Sequence, residues 1–569
     1  MAGMTKSEVR NCIQRLQEKR ASRSNSDSVW QEIRDYMLPN RPSFTGTESP
    51  GNKTMSKIFD GTAIDAINVC KAGISGMLTN AALPWHGIEM ADEELNKDPV
   101  VQEALAQVNE VMRSEYHESN FYSNIDGVYE EAIGFGQAAL YIGQGKRSAL
   151  NFMPIPLRDI YTDEDSEGNV DTVFRMRQMT ARQIKQEWPN GKLTDQMKKA
   201  LSGVGDVKAD KTFDIVHVVY PRSDRELDSN ANYKNDKLSK PYLSAYIAEE
   251  EAEIIDEGGY DEFPYAIPRL FLMAGDGYGR GMGWNALPDV KMLNTMEKTG
   301  LRAWQKATDP PLVLPDEGYS LPVKTGPGGV TYNSNWDKQG ADPKTLYGSG
   351  QFQMLPNFEQ KCEQKRNQIR EFFFYKQFRT QQEGQPRTAQ EIIQIASENL
   401  KILGPLLNRF MEELLKTVVT RSFWILARLN KFPKLAEVMA SNPNVTFEMK
   451  IVYLSPIAKA QRLYEAQELQ NAMNMLMPIA QIKPEVLDVI NADKAFEQCA
   501  ILYPAIRKIS ESPAKIKAMR AQRAAAQAEA AQTEMIGQAL QGAKLASETD
   551  PNAGLLAGLS GNVGTGRTV

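Results

Sequence analysis

Apolar residues recur at helical spacing in three long stretches between Ala286 and Asn430, and these organise the chain. The first, 286–308, carries Leu287, Val290, Leu293, Leu301 and Trp304 close to a 3.6-residue period. Asp309-Pro310-Pro311 ends it, since proline lacks an amide donor and disfavours helix in the residue before it. The second, Phe358 to Phe378, has a narrower stripe of Phe358, Cys362, Ile369 and Phe372 and is otherwise Glu, Gln, Lys and Arg. At 1.5 Å per residue both run about 30–35 Å. Two helices of matched length flanking an insert predict an antiparallel pair with the insert at its tip.

The third stretch opens on Thr388-Ala-Gln-Glu391, a capping box in which Thr388 accepts from the amide of Glu391 and the glutamate reaches back. The pattern runs to Leu429, about 60 Å if continuous. Gly404-Pro405 predicts a kink, because Pro405 leaves the carbonyl of Lys401 without its donor. Periodicity resumes at once, so this reads as one bent helix. It is too long for the interior of an ordinary domain and must cross a large body.

Before these helices, residues 5–142 read as mostly helical: Lys6–Ala21, Asp27–Leu38, Lys57–Leu78, Pro99–Tyr116 and Tyr122–Ile142, with loops at 38–52 and 82–87. From Leu150 to Met273 alternation takes over, with strands in DTVFRMRQM, FDIVHVVYP, YLSAYIAEE and IPRLFLMAG and one short helix at Ala181–Trp188. The class is α+β, mainly helical. Residues 310–350 hold 6 Pro and 7 Gly, dense enough in breakers to read as a small tip domain of short β pieces. Arg379–Arg387 is a polar loop. NVTFEMKIVY (444–453) alternates as a strand, 456–547 is helical again, and the Gly-rich tail after Thr549 reads as disordered.

Composition changes this picture little. No apolar run is long enough to span a membrane, and the polar first residues predict no secretory signal. Cys12, Cys70, Cys362 and Cys499 never form CxxC, so no zinc site or disulfide framework is expected, and a reducing cytoplasm fits. Net charge is −6, the wrong sign for gripping nucleic acid through an overall basic surface, though not for a protein that DNA passes without being held.

Several motifs compete for a chemical reading. Gly281-Met-Gly283-Trp-Asn-Ala286 matches GxGxxA after a strand-like run, as in a dinucleotide-binding turn. Its acidic partner, Asp316, lies 35 rather than about 20 residues on, and the prolines break the βαβ rhythm, so a glycine hinge is favoured over a nucleotide-dependent enzyme built on 265–316. Asp163, Asp165, Glu167, Gly168, Asn169 and Asp171 imitate an EF-hand loop, but Phe174 stands where the bidentate Glu is required, so an acidic hairpin turn is favoured. The aromatics Phe372–Tyr375 and Phe378 read as core or interface rather than base-stacking platforms. Lys361, Lys365, Arg366 and Arg370 read equally as DNA-facing cations or as a solvated face with local ion pairs. His86, His117 and His217 sit in unrelated contexts, and no GxxxxGK[ST] occurs; no catalysis, metal or cofactor is expected.

Six stretches together resemble the portal, or head-to-tail connector, of short-tailed bacteriophages: WQEIRDYMLPNRPSF, KIFDGTAIDAINVCKAGISGMLTNAALPW, EEAIGFGQAALYIG, the block from IPLRDIY to IKQEWP, GDGYGRGMGWNALPDVKMLN and TAQEIIQIASENLKILGPLLNRF. The resemblance implies a non-enzymatic homo-oligomeric ring, typically twelve-fold, at one capsid vertex. It implies a portal fold: a wing at 1–285, stem helices at 286–308 and 352–378 flanking a clip at 309–351, a tunnel loop at 379–387, the kinked helix 388–430, a crown at 431–548 and a flexible tail at 549–569. Expected partners are double-stranded DNA, terminase, major capsid and scaffold proteins, tail adaptors and internal ejection proteins, with no membrane. Expected channel residues are Gln381, Gln382, Glu383, Gln385 and Arg387 of the loop, with Lys361, Lys365 and Arg370. Gly404 and Pro405 mark the kink, and Tyr332, Trp336 and Tyr347 are clip contacts for partners. Another virion structural protein, such as a tail adaptor, is the remaining alternative.

Overall fold

The computed structural model describes residues 4–46, 49, 51–92, 95–202, 210–222, 240–273, 275–314, 318–324, 330–339, 344–345, 355–379, 401–441, 448–454 and scattered positions of 516–539. The chain divides into two compact units, Met1–Gln461 and Arg462–Val569. In the second, the described residues between 516 and 539 are helical.

The first unit opens with one helix, α1 (Lys6–Met37), capped by a reciprocal Thr5–Glu8 box. The polar run RSNSDS was expected to split it. Instead Ser22, Ser24 and Ser28 return their hydroxyls to carbonyls three residues back, at 3.0, 2.9 and 2.7 Å. Arg23, buried, donates to the carbonyls of Leu157, Arg158 and Ile160 and lies 3.8 Å from the Tyr161 ring centroid. Burial of that one guanidinium against main chain outweighs the weak helix preference of the serines.

Helix α2 (Thr62–Leu78) and strand β1 (His86–Met90) precede α3 (Pro99–Glu118), whose Asp98 cap and first-turn Pro99 are what an ordinary helix start requires. α4 (Phe121–Phe135) is shorter than expected. Gly136, at φ 99°, ends it in the left-handed conformation, and the apolar residues beyond it form β2 (Ala139–Gln144). β2 lies between β3 (Leu150–Ile155) and a two-residue β9 (Tyr265–Ala266).

A five-stranded antiparallel meander follows: β4 (Ile160–Glu164), β5 (Val170–Thr180), β6 (Thr212–Pro221), β7 (Tyr242–Ala248) and β8 (Glu253–Tyr260). Alternation assigns its faces. Phe174, Val216, Val218 and Leu243 pack with Val9, Cys12 and Leu16 of α1. Phe213 and Ile215 pack with Ile184 and Met197 of α5 (Ala181–Glu187) and α6 (Asp195–Ser202). The fourth expected strand, IPRLFLMAG, forms only single bridges at Arg269 and Phe271 among its described residues, and β9 is the two residues before it.

The long helices are α7 (Met282–Thr308), the pair α8 (Leu355–Phe372) and α9 (Tyr375–Phe378), and α10 (Lys416–Arg428), followed by α11 (Pro433–Ser441). Between α7 and α8 lie β10 (Leu312–Val313) and β11 (Lys344–Thr345), paired antiparallel. β12 (Met449–Tyr453) pairs with β1 in the register His86↔Tyr453 to Met90↔Met449, so part of the expected loop at 82–87 is strand.

Where α7 leaves this body, backbone meets backbone. A Cβ on Gly281 would stand 2.5 Å from the carbonyl oxygen of Gly134 and from the amide of Gly136, and one on Gly283 would stand 2.4 Å from the same oxygen. On the other side, a Cβ on Gly136 would lie 2.1 Å from the carbonyl carbon of Arg280. The end of α4 and the start of α7 touch with no side chain between them. Close by, the carboxyl of Glu131 on α4 is buried and receives Nη1 of Arg41 at 3.1 Å. Arg41 is shared with Glu130 and the carbonyl of Gly127. Burial therefore dominates and pushes Glu131 up to about 7, with Arg41 opposing and Glu130 and Asp159 reinforcing the rise.

Two outcomes follow from this junction. Gly281→Ala and Gly283→Ala each destabilise the protein, by about 1–3 kcal/mol or more in denaturant unfolding, because the added methyl strikes fixed main chain; an unchanged midpoint in both contradicts the crossing. Because the folded carboxyl of Glu131 holds its proton more tightly than the unfolded one, its contribution is complete below about 4.5 and lost as pH rises through about 7. Melting temperature should fall across that window, and Glu131→Gln should flatten the decline.

Candidate functional site

The rod formed by α7 and α8, with the segment at its tip, is the part of the first unit that has least of its own core. α7 starts four residues before the expected Ala286 and carries Pro288 in its second turn, where the carbonyl of Trp284 goes without its i+4 amide donor. Its first half is fully engaged: Met282, Ala286, Leu287, Val290, Leu293 and Asn294 are buried. After Gly300 this stops. No described residue from Leu301 to Lys344 is buried, and Leu301 and Trp304 are 53% and 51% exposed.

α8 meets α7 through a thin apolar seam and a dense ionic one. Cys362 and Ile369 are buried, and the Phe358 ring lies against Gly300, where a Cβ would come within 2.6 Å of it. Arg366 is the hub. Its guanidinium reaches Asp60 at 2.9 Å, Glu297 at 2.5 Å and Glu363 at 3.1 Å, joining the loop before α2, α7 and α8. Lys365 pairs with Asp289 at 2.9 Å, and Arg370 with Glu363 at 3.1 Å. Partial burial works against the charge on Arg366, but its hydrogen bonds to Asp60 and Glu363 prevail and hold its pKa above the usual range. Of the cations singled out in the sequence, Lys365 and Arg370 are thus occupied by carboxylates, while Lys361 is exposed.

The aromatic run at the end of α8 breaks the helix that was expected to reach Phe378. Consecutive rings cannot share one helical face, and Phe374 adopts φ 53°, which redirects the chain. Phe373 and Tyr375 are then both buried, Tyr375 donates to Asp65 at 3.0 Å, and the Phe378 ring fills the space over Gly73 of α2. Those rings are core.

At the tip, Tyr332 and Trp336 are 76% and 79% exposed, with Leu321 and Val330 also outward. Tyr347 lies outside the described residues, as do Gln381, Gln382, Glu383, Gln385, Arg387 and Thr388. Gly404 and Pro405 lie within helical residues 401–409, beside the buried Leu403, Leu406 and Leu407. A π-helical turn follows at Phe410–Leu415 before α10 begins. Its Glu413 accepts from the amide of Arg269 at 2.6 Å and from Arg409 at 2.9 Å. Tyr453 of β12 donates to the carbonyl of Met411 at 2.8 Å. Nothing in the local sequence announces this turn.

The other motifs resolve into structure. The acidic β4–β5 turn is a hairpin: Asp165 accepts from the amides of Glu167 and Asn169 at 2.8 Å, Gly168 takes φ 82°, and Asp163 is held by Lys19 and Arg15. Among the described residues no three His, Cys, Asp or Glu side chains gather around a point where a metal would sit. His217 is buried between the Tyr265 hydroxyl and Ser244, at 2.7 and 3.0 Å, and burial holds its pKa well below the usual value. No helix among the described residues is long and apolar enough to cross a membrane. Sequence reasoning missed Arg366 as a hub, since its partner Asp60 lies 306 positions away and carries no local signal.

Comparison with known proteins agrees with this architecture. The family described as bacteriophage head to tail connecting protein matches residues 9–505. A portal protein of Salmonella phage epsilon15 is 28% identical over 562 residues, covering 97% of this chain and 98% of that protein. A "Probable portal protein" of Bordetella phage BPP-1 is 27% identical over 531 residues, covering 92% and 93%. The chain therefore belongs to the bacteriophage head to tail connecting protein family.

Proposed function

We propose that this protein is a portal subunit, that about twelve copies close into a ring at one capsid vertex, and that double-stranded DNA enters and leaves the head through the ring. The observation that carries this reading is the rod: from Leu301 to Lys344 no described residue is buried, although Leu301, Trp304, Leu312 and Val313 are large and apolar. A monomer leaves such surface exposed at a cost, whereas side-by-side copies cover it. Each copy bound on one flank and binding on the other makes a head-to-tail contact, which closes when the rotation allows.

In this reading the body before α7 is the wing, α7 and α8 form the stem, the segment between them is the clip, and the region after Asn430 is the crown. The polar loop Gln381, Gln382, Glu383, Gln385 and Arg387 brushes DNA at the narrowest point, and Gly404-Pro405 lets the following helix bend. Tyr332, Trp336 and Tyr347 of the clip meet the terminase and later tail adaptors, while capsid, scaffold and internal ejection proteins contact the wing and crown. A nucleotide-dependent enzyme is disfavoured, because the glycines of GxGxxA face the main chain of Gly134 and Gly136 where a pyrophosphate would have to approach.

Purified full-length protein is expected to elute as a large annular species, seen as rings by negative-stain microscopy. Replacing Tyr332 and Trp336 by Ser should leave rings intact and abolish terminase capture. A stable monomer at micromolar concentration overturns the ring, and undiminished capture overturns the clip assignment.

A further inference from the structure

We infer that β12 carries a docking edge, which takes an extended segment of a partner protein as a third antiparallel strand, apolar at alternate positions with an acid between. The edge is a feature of one copy and holds whether or not copies close into a ring. β1 and β12 form a sheet of only two strands. The Ala91 amide donates to the carbonyl of Glu448 and the Leu454 amide to that of Trp85, so Glu89–Lys450 and Gly87–Val452 are the hydrogen-bonded pairs between them. The main-chain groups of Met449, Ile451 and Tyr453 therefore point away from β1, and none has a hydrogen-bond partner among the described residues. A two-stranded sheet is marginal in water, and a row of unpaired amides and carbonyls is a template for another strand.

Other strand edges are closed by neighbouring groups. On β1, Asn109 accepts from the Ile88 amide at 2.8 Å and donates to its carbonyl at 3.3 Å, and Asn96 does the same for Met90 at 2.9 and 2.8 Å. On β3, Asn120 accepts from the Phe152 amide, and both Asn120 and Asn124 donate to its carbonyl. Arg23 donates to the Ile160 carbonyl of β4, and on β8 the Lys192 amide and Arg222 donate to the carbonyls of Ile255 and Gly258. A side-chain amide offers the donor and acceptor of a peptide group, so the asparagines stand where a further strand would pair. β12 carries no such side chain among the described residues.

The open edge also specifies what fits it. Met449, Ile451 and Tyr453 are half-buried and share the core-facing side with His86, Ile88 and Met90, whereas Lys450 is exposed and forms no ion pair among the described residues. β1 matches this pattern on the closed side, with Ile88 and Met90 inward and Glu89 opposite Lys450. A strand on the open side meets the same demand: apolar residues opposite Met449, Ile451 and Tyr453, and a carboxylate opposite Lys450.

The test uses the full-length protein and a labelled peptide of about eight residues, with valine at alternate positions and glutamate between, followed by fluorescence anisotropy. The peptide is expected to bind at micromolar concentration. In an added antiparallel strand, the valines that face the body point their amides at β12, and the glutamates point theirs away. N-methylation of the valines should therefore abolish binding, and N-methylation of the glutamates should leave it. Ile451→Pro deletes one outward donor where an edge strand tolerates proline, and should weaken binding about tenfold. Lys450→Glu should weaken it about threefold and favour the lysine analogue of the peptide instead. Failure of the wild type to bind, or equal loss from both methylated peptides, overturns the inference. So does a photo-crosslinker at Lys450 that couples the protein to a second copy, because the edge then belongs to the contact between copies.

Discussion

The contact on which the architecture depends is main chain against main chain, where Gly134 and Gly136 at the end of α4 meet Gly279, Gly281 and Gly283 at the start of α7. Side-chain packing leaves a helix free to rock by small rotamer changes. Contact between backbones removes that freedom, since neither surface has anything to adjust. The direction in which the rod leaves the body is therefore set within two turns of its first residue. The body behind the junction is well fastened, with Trp30 and Trp284 both donating to the carbonyl of Phe135 at 3.0 and 2.9 Å.

Charge is arranged to reinforce that geometry. The buried arginines of the body do not simply pair with acids: Arg23 takes three carbonyls, and Arg421 takes the carbonyls of Ile142 and Glu262 together with the Glu262 carboxylate. Each ties separate segments of chain into one frame through charge-assisted hydrogen bonds that a lysine is too compact to make together. Arg366 does the same on the rod, with partly exposed carboxylates on both helices and on the loop before α2. Breaking one partner there leaves others in reach, so the hub tolerates small shifts that a single pair would not.

Much of this was legible in the sequence where periodicity is strong. α3, α5, α7 and the three strands β5, β6 and β7 follow directly from spacing and caps, and the resemblance carried by the glycine-rich segment and its neighbours agrees with the family match. The failures have local causes. The serines of α1 looked like a break because Arg23 finds its partners more than a hundred positions away. The apolar run after Gly136 looked helical because Ala, Leu, Tyr and Ile suit either state, and only the glycine's positive φ divides them. The turn at Phe374 and the π-helical turn at Phe410–Leu415 arise from tertiary demand: rings to be buried against α2 in one case, and Glu413 and the Met411 carbonyl to be reached by Arg269 and Tyr453 in the other. The ionic seam of the rod was legible as composition but only partly as pairing: Glu363 and Arg370 share α8, whereas Asp289 reaches Lys365 only because the fold lays α7 beside α8.

Stability resides in the continuous core that runs from Trp30 through Tyr116 and Phe152 to Phe423. The rod beyond Gly300, as far as Lys344, has no buried side chain among its described residues, and a short exposed helix gains too little from its own hydrogen bonds to persist in water. Its helical form must be borrowed from the firmly packed half of α7, with which it is continuous, and from whatever covers its apolar side chains. Core and rod are then built on different terms in one molecule: the packed half of α7 sets the rod's direction, and the exposed half adds apolar surface that the core does not use. A protein built this way spends none of its own core on that segment, and side chains such as Leu321, Tyr332 and Trp336 stay at its surface.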